Sequence, residues 1–259
     1  MIGLVILLGA VQALTEFLPV SSSAHLLIIP WLIGVPNPGL AFDAALHIGT
    51  SIALIWYFWA DFKQIVQERG KLLWLILIAS IPGGAVGFLG EKVIDSIFHE
   101  GSAAITIAAV GMLIATGIIW WIDQTAQQKR SIDDLSRRDA ILIGVGQALA
   151  LIPGVSRSGS TIAAGLLTGL KRDQAARFSF LIGTPIALGA GLYKFLGLLN
   201  SQPSVGEVVN MGLGIMVSAG LGFVVIRWLL KYLQSHDLKV FLMYRIGFAV
   251  LVLLLVWIR

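Results

Sequence analysis

Two stretches 135 residues apart repeat one pattern, and few folds can house it. Residues 9–26 read GAVQALTEFLPVSSSAHL, and residues 144–161 read GVGQALALIPGVSRSGST. They match at Gly9/Gly144, Gln12/Gln147, Ala13/Ala148, Leu14/Leu149, Val20/Val155, Ser21/Ser156 and Ser23/Ser158. Each is a short helix-forming run, a Pro-containing break, a Ser-rich tip and a second short run. Both sit in strongly apolar sequence. Only 12% of the residues are charged, against about 25% in a soluble domain. Paired broken segments in two halves of a membrane protein point to a site near the bilayer midplane.

Six apolar runs are long enough to span a bilayer: 41–60, 72–90, 103–122, 178–198, 208–230 and 240–258. Four others, 1–17, 22–35, 139–152 and 160–170, are too short. They form two pairs, each joined by one copy of the repeat. Each pair reads as a re-entrant helical hairpin, since broken backbone at depth is tolerated where protein or a cavity surrounds it. The expected fold is therefore all-α and polytopic, a single membrane domain over residues 1–259. It has six transmembrane helices and two re-entrant hairpins, with repeats at about 1–122 and 139–258.

His47-Ile48-Gly49-Thr50 resembles Leu181-Ile182-Gly183-Thr184, so the repeat continues beyond each hairpin. Three spans separate the copies, and an odd number inverts the second copy. The two tips are then expected to meet inside the membrane. Loop charge orients the layout. Thirteen of the 18 Lys and Arg residues fall in or beside loops 61–71, 123–139, 171–177 and 231–239, and only Lys92, Lys194 and Arg259 fall on the other side. The positive-inside rule makes the first side cytoplasmic and puts both termini outside. The first hairpin then opens outward and the second inward. The basic residues serve topology, so the pI of 9.5 does not imply nucleic acid. No basic n-region or small-residue cleavage site marks the start as a signal peptide. The absence of cysteine excludes disulfides, thiolate metal sites and a Cys nucleophile.

Ionisable groups within such segments are costly and are functional candidates. Gln12 and Glu16 are four apart and share a helix face. A carboxylate beside an amide oxygen suits a hard divalent cation, Mg²⁺ or Ca²⁺; a purely structural Glu16–Arg pair uses the same residues. Ser21, Ser22 and Ser23 precede a helix, where Ser caps and where free N–H groups bind phosphate. Ser22 is a candidate nucleophile with His25, three residues on, as base; a His25 simply satisfied within the bundle is the plainer alternative. In the second tip, Ser156, Arg157, Ser158, Gly159, Ser160 and Thr161 combine hydroxyls, a flexible backbone and a guanidinium that can clamp phosphate oxygens; an Arg157 that only snorkels to the mouth is the competing reading. Asp43 and His47 could share a face with the site as supporting groups. Arg245 is either an anion contact or a packing partner. Thr168, Ser179 and Thr184 read as packing or interhelical hydrogen bonds. Trp56, Tyr57, Trp59, Trp120 and Trp121 read as interfacial aromatics.

Gln12-x-x-x-Glu16, the VSSSAH tip, Pro153–Thr161 and the FDAALHIGT stretch at 42–50 together resemble the undecaprenyl-diphosphatase family of bacteria, the BacA bacitracin-resistance proteins. The resemblance covers essentially the whole chain, and Gln at position 12 is a variant the family's first motif allows. It implies removal of the terminal phosphate of undecaprenyl diphosphate, recycling the carrier for cell-wall synthesis. It also implies a divalent cation, a bacterial inner-membrane location and a mouth facing the periplasm. It carries functional roles onto Gln12, Glu16, Ser22, His25 and Arg157. Attack by Ser22 and attack by a metal-activated water both fit these residues. The alternative function is a polyprenyl-phosphate transporter or flippase using the same headgroup site. Membrane lipids and the lipid diphosphate are the expected partners; homo-oligomerisation is left open.

Overall fold

A computed structural model describes residues 2–68, 70–97, 102–199 and 204–258. Among them are eleven α-helices and no strand. Two short helices, α1 (Ile2–Phe17) and α2 (Ser22–Ile33), are followed by α3 (Leu40–Tyr57), α4 (Trp59–Glu68), α5 (Lys71–Ile97) and α6 (Ser102–Thr125). The second half runs α7 (Arg137–Leu149), α8 (Arg157–Leu167), α9 (Arg172–Leu199), α10 (Val205–Tyr232) and α11 (Lys239–Ile258). The four short runs of the sequence become α1, α2, α7 and α8. The breaks between them fall at the Pro-containing tips, where a ring without an N–H weakens a helix, although Pro30, Pro82 and Pro185 are accommodated within α2, α5 and α9.

Parts of α5, α6, α10 and α11 are each long and apolar enough to cross a membrane. Run 178–198 forms the body of α9. Run 41–60 differs from expectation. The helix stops at Tyr57, and α4 leaves it at 69°. The cause is composition: Asp61, Lys63, Gln64 and Glu68 cannot follow α3 into lipid, while Ile65 is the buried residue of α4. The chain is thus an all-helical, multi-pass membrane protein with four such helices among the described residues, or five if α3 and α4 count as one bent span.

Helices in lipid gain little from the hydrophobic effect and associate through close packing of small residues. The α3–α10 contact is built this way. A Cβ on Gly49 would lie 2.6 Å from the Ile215 carbonyl, and one on Gly222 would lie 2.9 Å from Ala53 Cβ. The repeat is visible in the same terms. Gly9 lets α1 approach Val217 of α10, and Gly144 lets α7 approach the Ala79 carbonyl of α5. Each hairpin's first helix therefore leans on a long helix of the other half.

The four basic loops converge at one end of the molecule. Arg177 pairs with Asp61, and Lys71 donates to the Asp133 carbonyl at 2.8 Å. Buried Asp123 accepts from Arg172 Nε at 2.6 Å and from the Leu238 amide at 3.3 Å. Arg130 reaches both Asp139, at the start of α7, and the Thr168 carbonyl, just past the end of α8. The two ends of the second hairpin thus meet at one residue. Of the basic residues used to orient the chain, Arg69 and Arg259 lie outside the described residues, as do the side chains of Lys92 and Lys194. Trp56, Trp59 and Trp121 are exposed, as interfacial aromatics would be.

Candidate active site

The two tips meet. Ser158 Oγ of the second donates to the Leu18 carbonyl of the first at 3.0 Å. Each tip turns through a serine in the left-handed region, Ser21 at φ 76° and Ser156 at φ 77°. These are repeat-equivalent positions, and such backbone in a non-glycine residue costs about 1–3 kcal/mol. Gly154, at φ 83°, lets the second tip press on α6: a Cβ there would lie 1.9 Å from the Ala108 carbonyl.

Glu16, at the end of α1, is the centre of the constellation. Its Oε1 accepts from Arg157 Nη2 at 2.7 Å. Its Oε2 accepts from Ser22 Oγ at 2.7 Å and from Gln12 Nε2 at 3.2 Å. The same amide donates to His47 Nδ1 at 2.9 Å, which leaves the ring proton of neutral His47 on Nε2. His47 Nδ1 is 3.5 Å from Glu16 Oε2. Arg157 is steadied by the Ser179 carbonyl at 3.3 Å and packs against Gly183, where a Cβ would fall 1.9 Å from Nη1.

These groups border a cavity of about 350 Å³. Glu16, Ser21, Ser22, Ser23, Asp43, His47, Ser156 and Arg157 line it. Leu26, Leu27, Leu151, Ile186 and Ala187 supply apolar wall. The cavity therefore suits an amphipathic ligand, with a polar end and an apolar flank.

Several expected site residues are placed elsewhere. His25 is not brought to Ser22. Its Nδ1 donates to the Ser21 carbonyl at 2.7 Å, its Nε2 accepts from the Tyr244 hydroxyl at 2.8 Å, and its ring stacks on Phe248. With both nitrogens engaged, it braces the tip. Gln12 is fully buried behind Glu16, off the cavity wall, and its Oε1 has no hydrogen-bond partner. Ser158, Gly159, Ser160 and Thr161 do not line the cavity either. Ser156 Oγ caps α8 through the Gly159 amide, and Thr161 donates to the Arg157 carbonyl and pairs with Ser179 of α9. Ser179 does make the expected interhelical bond, while Thr168 and Thr184 bond within their own helical segments.

Three residues at the site had no settled role in the sequence. Gly183 was visible only as the partner of Gly49 in the repeat. Gln147, the partner of Gln12, lines the cavity with an unpartnered Oε1. Arg245 was noticed, but its role was undecided: it is fully buried and bonded to both tips.

Two broken helical hairpins joined at a buried acid–arginine pair, inside a multi-pass helical bundle, define a membrane protein with a site for an anionic amphiphile. The chain belongs to the family described as bacitracin resistance protein BacA, whose model matches residues 5–251. Relatives named undecaprenyl-diphosphatase are 43% identical in Moorella thermoacetica, covering 98% of this chain and 97% of the relative. Those in Thermomicrobium roseum and Caldicellulosiruptor bescii are 41% and 42% identical. Each alignment covers 96% of this chain, and 96% and 95% of the respective relative.

Proposed function

We propose that this chain hydrolyses undecaprenyl diphosphate to undecaprenyl phosphate and inorganic phosphate, recycling the lipid carrier of cell-wall synthesis. The observation that carries the reading is the Ser22–Glu16–Arg157 contact on the polar wall of a cavity with an apolar flank. The relatives' names support hydrolysis; none speaks for transport.

In the proposed reaction the diphosphate enters the polar end and its isoprenoid chain follows the apolar flank. Phosphate oxygens compete with Glu16 for Arg157. Once the guanidinium turns to phosphate, the carboxylate is free to take the Ser22 proton across the existing 2.7 Å contact. Ser22 Oγ bonds to the terminal phosphorus as the bond to the bridging oxygen breaks, and undecaprenyl phosphate leaves. Water then cleaves the phosphoserine, releasing inorganic phosphate. Arg157 holds the charge of the transferring phosphoryl group, usually the main work in such chemistry. Glu16 replaces His25 as the proton acceptor because His25 has no contact with Ser22.

A divalent cation, Mg²⁺ or Ca²⁺, fits this wall in one form. No group of three or more His, Asp or Glu residues is set for a metal among the described residues, so an all-protein cage is not the arrangement. Glu16 and Asp43, which line one cavity, would hold such an ion together with phosphate and water, the usual pattern for Mg²⁺. When bound, it supplies positive charge to the phosphate oxygens. Gln12 would act behind Glu16, orienting it.

The finer topology belongs to the same proposal. Six crossings with two re-entrant hairpins fit the clustering of the basic loops at one end, and the positive-inside rule makes that end cytoplasmic. The cavity mouth then faces the periplasm of a bacterial inner membrane. The test is phosphate release from undecaprenyl diphosphate by purified protein in detergent, with Mg²⁺ and with EDTA, beside Glu16→Ala and Arg157→Ala. Metal-dependent turnover lost in both variants supports the proposal. A lipid that binds without phosphate release would sink it.

A further inference from the structure

Arg245 sits in the second turn of α11, fully buried, and has no acidic partner among the ion pairs of the described residues. A charged group in that position needs complete hydrogen bonding to be tolerated. It finds five oxygens from three separate segments. Nε donates to Thr116 Oγ1 at 2.6 Å and Nη2 to the Met112 carbonyl at 3.1 Å, both on α6. Nη1 donates to the Pro19 carbonyl of the first tip at 2.9 Å. Nη2 also reaches the Gly154 and Val155 carbonyls of the second tip at 3.0 and 3.3 Å. Its neighbours on α11 grip the same region: Tyr244 donates to His25, and Phe248 stacks on it.

We propose that Arg245 is the positioning residue of the site, a clamp that fixes the two tips to each other and to α6. Its fork ends on Pro19, two residues before Ser21, and on Val155, the residue before Ser156. Those two serines hold the left-handed turns from which α2, with Ser22, and α8, with Arg157, begin. The register of Ser22, Glu16 and Arg157 therefore depends on one guanidinium that touches none of them. A lysine cannot replace it, because a single ammonium cannot spread its donors over acceptors on three segments.

The kinetic part of the test rests on the phosphatase reading; the distance part does not. Arg245→Lys and Thr116→Val are made in the enzyme and in a doubly spin-labelled version carrying Cys at exposed Leu14 and Leu149, one on each hairpin. Arg245→Lys is expected to lower kcat about 100-fold, the scale of a 1 Å misplacement. Thr116→Val, which removes one acceptor of the cation, is expected to lower kcat about tenfold. KM should stay within about threefold in both, since the cavity wall is intact. The distance distribution between the hairpins should broaden in both. Wild-type kcat with a wild-type distribution in Arg245→Lys would overturn the proposal, as would a raised KM with kcat kept. If Arg245→Lys does not fold, the same results in Thr116→Val overturn it. Broadened distances in a protein whose unmutated form releases no phosphate would leave the clamp standing and remove the phosphatase reading.

Discussion

Glu16 has two oxygens and at least three donors, so each substitution around it leaves a different group stranded. Removing the carboxylate in Glu16→Ala leaves the Arg157 charge largely buried and unpaired, a change that costs about 3–5 kcal/mol for an enclosed pair. The double variant Glu16→Leu/Arg157→Met is expected to be more stable than Glu16→Ala alone; melting temperatures in one detergent check this. Gly183→Ala puts a methyl where the guanidinium lies and should push Arg157 off Glu16. The expected loss in kcat/KM is about 100-fold, read by phosphate release, with a lowered melting temperature because the pair is broken. Glu16, Ser22 and Arg157 were legible in the sequence because polar groups in apolar runs must be there for a reason. The direction of His25 was not. Helical spacing puts it near Ser22, but Tyr244 and Phe248, more than 200 residues away, capture its ring.

Among the elements, α7 depends most visibly on its cap. Ser136 Oγ accepts from the Asp139 amide, and Asp139 Oδ2 accepts from the Ser136 amide. Burial would raise the Asp139 carboxyl, but Arg130 and Ser136 outweigh it and hold the group below its ordinary 3.8. The contribution is therefore complete above that value and is lost as pH falls through the lowered one. Asp139→Asn should cost about 1 kcal/mol at neutral pH, and the gap to the wild type should narrow on acidification below about pH 4; thermal melts across that range test it. Gly154→Ala tests the second tip. With a Cβ 1.9 Å from the Ala108 carbonyl and a left-handed backbone, it should displace the tip from α6 and abolish turnover. Helix positions and the tip breaks were readable from hydropathy and proline. The bend after Tyr57 was missed because the aromatic residues through Trp59 extend the apolar run past the point where the charges of α4 force the turn.

At the scale of the whole molecule, the cysteine-free chain makes topology directly testable. A membrane-impermeant maleimide applied to intact cells should label Cys at position 22 through the cavity mouth and spare Cys at position 64 of α4, with the order reversed in inverted vesicles. Equal labelling from both faces would contradict the proposed orientation. Both copies of the sequence repeat contribute to one cavity. Glu16 and Leu151, repeat equivalents at the constant offset, line the same space. At these positions the first copy supplies a carboxylate and the second an apolar wall, so equivalent positions give one cavity unlike sides.

The sequence by itself determined the class of protein, most of the helices, the two broken short-helix pairs and the residues that carry charge into them. Those follow from local rules: the bilayer's demand for apolar runs and the weakening of a helix at proline-containing tips. Only the tertiary structure decided which polar groups meet. The Glu16–Arg157 pair closes over 141 residues and the Arg245–Pro19 contact over 226. No periodicity encodes such distances. They are settled by glycine-lined helix contacts and by the requirement that each buried charge find oxygen or a counter-charge, which in Arg245 tied both tips to a helix from outside the repeat motif.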